Sequence, residues 1–437
     1  MFSTHPTTSR RLAATTIGAV SIAAAVAARI SSPVITTVDP EVTGYGTFQS
    51  HNQKVVSTAD GIFMTYAKTP FEGAEWRLVR SVDTGRSFDV IWDAVNTTHP
   101  PAIETAGDGT LYLVHGDQAT DAASFYRLSP ATTFAPELIS VVDGAHAQKF
   151  SLLLDERRAQ LYYAAYTGPN TRFITLDLTG NVIADILLTG GEQVARPSYP
   201  GMLLAGGVLY AAWSSDRIGG DLNDYYSIHG ARSHDGGLTW ESLSGTPLTP
   251  PFVGDHEGDT TEITLPEERP CTTWLTAFAV TRHKAHFFYL AAPNLSERAC
   301  QLRRNVVRYR RFDLDAGKFE AGEDTFAPGG VTFDNPGGQF LNGFFATSPR
   351  DGTLFLTSQT ADNRLAIVAS ADEGTTWRLV SRTDSLDDHL YAIGGQRQVT
   401  SDGKIMGSFT HDSLRPTKAP SAVRFFQARV ESPVASR

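Results

Sequence analysis

Ser233-His234-Asp235-Gly236-Gly237-Leu238-Thr239-Trp240 is a turn spelled out in eight residues. The Asp carboxylate can accept hydrogen bonds from backbone N–H groups just ahead of it, which closes the loop without a strand partner. Gly237 supplies a positive φ that a side chain would resist. The Trp then offers a large apolar face to a neighbouring layer. The pattern Ser-x-Asp-x-Gly-x-Ser/Thr-aromatic returns twice. It runs from Ser81 through Asp83 and Gly85 to Phe88, and from Ser370 through Asp372 and Gly374 to Trp377. One such turn carries little weight, whereas three in one chain mark a repeat.

Outward from these turns lies a second recurring element, a strand–turn–strand. It spans Val55–Ala67, Ala102–Val114, Ser151–Ala164, Met202–Trp213, Thr272–Leu290, Gly343–Thr357 and Gln396–Phe409. The first four recur at intervals of about fifty residues, enough for a four-stranded sheet. Seven hairpins imply an all-β propeller of seven four-stranded antiparallel blades. A six-bladed ring is the alternative, because only three Asp turns are intact. Residues 47–431 form this one domain, with 29–46 as a linker and 432–437 as a tail. The last blade, Ile393–Val430, needs a partner strand and is expected to find it near Val42–Phe48.

Composition narrows the function. The 437 residues are 41% hydrophobic and 19% charged, with a formal net charge of -10. That balance describes a globular protein and argues against non-specific nucleic-acid binding. Ser9-Arg10-Arg11-Leu12 opens a mildly apolar run that reaches Ala28, with small residues at Ala25-Val26-Ala27. Residues 1–28 therefore read as an export signal, twin-arginine-like or of the ordinary Sec type. A secreted or cell-surface protein is expected, free of the membrane once the signal is removed, and monomeric. Cys271 and Cys300 lie in no zinc pattern, and the choice between one disulfide and two thiols stays open.

Blade geometry turns the linear list into a site. The start of each first strand and the end of each second strand share one face of the ring, and the Asp turns lie on the other. His51-Asn52, His99, His146, Tyr199 and His256 open the first strands of blades one to five. His115 closes a second strand, and so do Asp216-Arg217. All seven positions hold a His, Tyr or Arg, although the chain has 12 His in all. These residues are expected to gather around a central pit. The arginines Arg303, Arg304, Arg308, Arg310 and Arg311 read as a solvated outer strand. The cluster Asp255, His256, Glu257, Asp259 and Glu262 could hold a structural divalent cation, but a solvated loop suits its spacing better.

The three turns resemble the Asp boxes of the bacterial-neuraminidase (BNR) repeat superfamily, which includes sialidases. The stretch from His99-Pro-Pro-Ala-Ile to Asp108-Gly-Thr-Leu-Tyr-Leu-Val-His115 is more similar to the BNR-repeat propellers that include ulvan lyases. So is Ser198-Tyr199-Pro200 with Trp213-Ser-Ser-Asp-Arg217 and Tyr225-Tyr226. The resemblance covers blades two to four well. It implies a polysaccharide lyase cutting uronate-containing glycans by β-elimination, with no cofactor required. By that resemblance His99 or His115 shares the base and acid roles with Tyr199, and Arg217 offsets the uronate carboxylate. His51, Asn52, His146, Arg196, Asp216, Tyr225 and His256 are then substrate-binding candidates. No equivalent of the further tyrosine of the lyases is found where this chain has Asp255-His256. A glycan- or protein-binding propeller without catalysis is the main alternative. A sialidase-like hydrolase is the second, but the Arg-Ile-Pro of sialidases is absent from the first blade.

Overall fold

The computed structural model describes residues 32–42, 45–69, 74–97, 99–147, 149–168, 170–190, 195–217, 225–253, 260–265, 273–291, 306–320, 326–334, 341–386, 389–412 and 421–430. The expected export signal and tail, His256, Cys271 and Cys300 lie outside them. So do Asp255, Glu257 and Asp259 of the acidic cluster, and Arg303 and Arg304.

Most described strands fall into antiparallel four-stranded units in chain order. Blade 1 is Val55–Thr58, Gly61–Ala67, Ala74–Ser81 and Asp89–Thr97; blade 2 is Ala102–Thr105, Leu111–Asp117, Ala122–Leu128 and Pro136–Asp143. Blade 3 is Phe150–Asp155, Gln160–Thr167, Asn170–Asp177 and Val182–Gly190; blade 4 is Ala195–Ala205, Val208–Arg217, Tyr225–Ser233 and Trp240–Ser242. Pro247–Leu248 adds a fifth strand to blade 4, and Phe252–Val253 pairs in parallel with Val182–Gly190 of blade 3. Blade 5 is Thr273–Val280, Lys284–Ala291, Val306–Asp313 and Lys318–Phe319; blade 6 is Gly343–Thr347, Leu354–Gln359, Leu365–Ser370 and Arg378–Arg382. The seventh unit is His389–Gly395, Lys404–Asp412 and Ser421–Arg429, completed by Val34–Val42 from the other end of the chain. The only helical turns among the described residues are the short 3-10 segments Pro130–Thr132 and Pro328–Gly330. No helix among them is long and apolar enough to cross a membrane.

The closing strand corrects the expected boundary. Residues 34–42 are not linker but the outer strand of the last blade, antiparallel to Ser421–Arg429 with Ile35 opposite Phe426. The segment expected to close the ring, up to Phe48, instead turns inward toward the ring axis. A bare edge on Ser421–Arg429 would expose unpaired backbone groups, and the upstream strand is the one that reaches it.

Apolar side chains hold neighbouring blades face to face, as propeller sheets require. Ile174 and Leu176 of blade 3 join Val114 and Phe125 of blade 2 in one buried cluster. Phe425 and Val423 of the last blade join Tyr66 and Met64 of the first, so the core runs through the closure.

The Asp turns lie between third and fourth strands and lock each blade to the preceding one. Asp235 accepts from Ser233 Oγ, Leu238 N, Thr239 N and Thr239 Oγ1. Asp83 and Asp372 repeat the arrangement in blades 1 and 6. Gly237, at φ 93°, presses on the ring of Phe173 in blade 3, and Gly374, at φ 79°, on the hydroxyl of Tyr309 in blade 5. A Cβ at either place would collide with those rings.

Arg308, Arg310 and Arg311 lie on the third strand of blade 5, not on an outer one. Arg310 donates to the Ile263 carbonyl and covers Phe319, while Arg311 donates to Thr375 Oγ1 in blade 6. They tie loops and blades together.

Candidate functional site

After Val42 the chain leaves the outer strand of the last blade and reaches the innermost strand of blade 1 by way of the ring axis. Tyr45–Lys54 makes that crossing. Phe48 packs against His99 of the blade 1–2 connection, Tyr199 of blade 4 and Tyr391 of the last blade, with ring centroids 4.8, 6.1 and 6.1 Å apart. Gln49 Oε1 accepts from Phe150 N of blade 3 and from Asn52 Nδ2. His51 Nε2 donates to the Leu275 carbonyl of blade 5 at 3.0 Å. One short segment thus touches blades on every side and floors the site.

Bulges aim the rings inward. In the first strand of blade 4 the register shifts between Ser198 and Gly201, and Tyr199 takes φ 54°. A positive φ at a bulky residue stores about 1–3 kcal/mol of strain and re-aims its side chain. The same kind of shift occurs between Leu275 and Ala277, beside Trp274, and between Tyr391 and Gly394. Tyr199 therefore meets Trp274 at 4.6 Å, Tyr225 at 5.6 Å and His51 at 5.6 Å.

A lysine binds this group together. Lys149, one residue before the first strand of blade 3, donates to Ser198 Oγ at 2.9 Å and to Tyr225 OH at 3.3 Å. Its Nζ lies 4.3 Å above the centre of the Tyr199 ring, a cation–π contact. The Tyr199 and Tyr225 rings meet edge to face.

Burial sets the protonation states. Tyr199 is 6% exposed, and desolvation pushes its phenol far above the ordinary tyrosine value, so it remains an O–H group. His99 is held down to about 3, by burial first and then by the charges of Lys149 and Lys54 and by His146. Its imidazole is neutral, and its Nδ1 has no partner within the protein. His51 is lowered to about 4, mainly by burial. Lys54, enclosed beneath the floor with its ammonium on the Gln49 and Asn52 carbonyls, is lowered to about 7 by burial and then by Arg397. It is not a surface cation.

Of the sequence candidates, His51, His99, Tyr199 and Tyr225 come together in this one group, with Asn52 bracing its floor. Asp216 is close enough to both tyrosines to raise their pKa values. His115 and His146 form a neighbouring pair. His115 lies between Trp76 and Tyr126, with ring centroids at 5.4 and 5.7 Å, and its Nδ1 has no partner within the protein. Both imidazoles are lowered, chiefly by burial. Asp121 Oδ1 is 3.9 Å from His146 Nδ1. The backbones of Arg196 and Arg217 lie at the end of the strand pair that carries Tyr199, with Arg196 opposite Asp216. Their side chains lie outside the described residues. Sequence reasoning passed over Lys149, Trp274, Phe48 and Tyr391. The rule that found the histidines, proximity to a first strand, would have found Lys149 and Trp274.

A large hollow lies on the other side of this floor. It measures about 1670 Å³ and follows the ring axis from Ser50–Gln53 to the hairpin turns at Asp60, Asp108, Arg157 and Gly207. Its lining mixes small and apolar residues with charged ones such as Asp60, Asp108, Arg157 and Arg282, and the Glu104 carboxylate accepts from Gln53 and Arg397 within it. Among the described residues no cluster of three or more His, Cys, Asp or Glu is placed to hold a metal ion.

No protein-family model and no curated protein matches the chain. Its fold is similar to that of solved structures. Polysaccharide lyase Uly1 aligns over 92% of this chain and 100% of its own, at 11% identity and a TM-score of 0.62. A PL25 ulvan lyase bound to -[GlcA(1-4)Rha3S]- aligns over 90% of this chain and 95% of its own, at 13% identity and a TM-score of 0.63. At such identities the likeness concerns the fold.

Proposed function

We propose that the chain is a carbohydrate-active propeller that cleaves a uronate-containing polysaccharide by β-elimination around Tyr199. The observation that carries this reading is the meeting, at one end of the ring axis, of a protonated phenol, a neutral imidazole and an ammonium group. The fold shared with two polysaccharide lyases supports it.

The chemistry follows from those states. Neutral His99, or else His115, takes the proton on the carbon α to the carboxylate. The electron pair forms the new carbon–carbon double bond, the β carbon–oxygen bond breaks, and the leaving oxygen takes the phenol proton of Tyr199. A raised phenol pKa suits an acid better than a base. A base near pKa 3 is weak: burial depresses His99 first, and an incoming carboxylate offsets only the smaller contributions of Lys149 and Lys54. Arg217 is assigned to grip that carboxylate, and side chains alone suffice for the reaction. A secreted protein, as the reading of residues 1–28 implies, would meet such a polymer outside the cell.

The test is incubation with ulvan and other uronate polysaccharides while following ultraviolet absorbance of the unsaturated product. Tyr199→Phe should lower kcat by about 10²-fold or more. His99→Ala and His115→Ala identify the base as the one whose loss costs more. Full activity in Tyr199→Phe would remove the proposal. A non-catalytic glycan-binding propeller is favoured by one observation, the bonding of His51 to the Leu275 carbonyl in a floor closed by Tyr45–Lys54. Binding of the same polymers with no product formed would establish that reading instead.

A further inference from the structure

We infer that Lys149 is the positioning residue of this site, clamping the face of Tyr199 and the hydroxyl of Tyr225 so that the two phenols stay aligned. The inference rests on the lyase reading for its catalytic consequence, but not for its structural one.

Three contacts from one ammonium carry it: Ser198 Oγ at 2.9 Å, Tyr225 OH at 3.3 Å and the Tyr199 ring centre at 4.3 Å. The first two restrain Nζ across blade 4, between its first and third strands, Ala195–Ala205 and Tyr225–Ser233, which flank Val208–Arg217 on either side. Lys149 itself stands on blade 3, so it also fixes blade 3 against blade 4 where Tyr199 leaves the regular strand. Tyr199 needs such a restraint. Its backbone is in the left-handed region at a bulge, where the strand ladder no longer dictates where the side chain points. The edge-to-face contact between the two rings, 5.6 Å between centroids, then passes the alignment from one to the other. The same charge also acts on His99, helping to keep it neutral. Misplacing a reacting group by about 1 Å can cost about 10²-fold in rate, so a clamp of this kind is felt in kcat before KM.

Lys149→Met keeps the length of the stem and removes the charge and the donors, whereas Lys149→Arg retains both. Crystal structures of the wild type and both variants, with kinetics on the most active uronate polysaccharide, make the test. In Lys149→Met the Tyr199 and Tyr225 rings should move by about 1 Å and kcat should fall by about 10²-fold, with KM nearly unchanged. Lys149→Arg should restore most of both. Rings that stay in place in Lys149→Met overturn the inference, whatever happens to the rate. Wild-type protein that eliminates no uronate polymer ends the lyase reading, while the ring positions still decide the role of Lys149.

Discussion

Asp235 accepts four hydrogen bonds, at 2.7–3.1 Å, from within its own turn. Burial works to raise its pKa, but the bonds from Thr239, Ser233 and Leu238 outweigh it and the carboxyl is lowered. A carboxyl lowered in the folded state adds stability above its unfolded value, near 3.8, and loses it as pH falls through the folded one. Asp235→Asn keeps the shape and removes the charge. It should cost about 1–3 kcal/mol at neutral pH, with the deficit shrinking below about pH 4. Denaturant unfolding of both proteins at pH 7 and pH 3 gives the difference, and an equal deficit at both would contradict the argument. Asp372 is lowered in the same sense, with burial opposed by Thr376 and Ser370, so the blade 6 turn should behave alike.

At the scale of the element, Asp39 is the clasp that seals the ring. It is 4% exposed on the strand Val34–Val42 and accepts from Tyr66 OH at 2.9 Å and Lys68 Nζ at 2.8 Å on blade 1. Arg77 stands 3.4 Å away. Asp39→Ala leaves those cations facing a buried gap and should cost about 3–5 kcal/mol, read from urea unfolding. A loss below about 1 kcal/mol would mean that the strand is held by its ladder alone. The hairpins were legible in the sequence because alternation and turn residues are local signals. This closing strand was not, since its partner lies at the far end of the chain and Val34–Val42 shows no strict alternation of buried and exposed residues. The bulges at Tyr199 and Tyr391 were equally hidden. A bulge is a mismatch between two strands, and neither strand spells it alone. That is why residues near first strands could be named, and Lys149 and Trp274 lay within reach of the same rule, while the closing of Phe48 and Tyr391 around Tyr199 could not be foreseen.

For the whole molecule, buried neutral imidazoles set the acid limit. His99 is 8% exposed and His286 is fully buried against Tyr309 OH and Thr281 Oγ1. Each is lowered to about 3, chiefly by burial, and then by neighbouring cations. The unfolded chain binds a proton at each below about pH 6.5, while the folded protein binds neither until about pH 3. Between those limits stability should fall by about 1.4 kcal/mol per pH unit for each imidazole, or about 2.7 for both. Unfolding free energies measured at pH 7, 6 and 5 check this, and a flat profile would mean that one or both rings are charged in the native state.

The pairing of Val34–Val42 with Ser421–Arg429 also sets an order of assembly. A ribosome delivers the first of these strands before any blade exists and the second only after the others are complete, so the seam must be sewn last and over the longest loop in the molecule. Moving the ends of the gene should therefore change the route more than the destination. A circular permutant opened between Val42 and Tyr45, with its old ends joined by a short turn after Val430, makes the two strands consecutive. It should refold faster at similar stability.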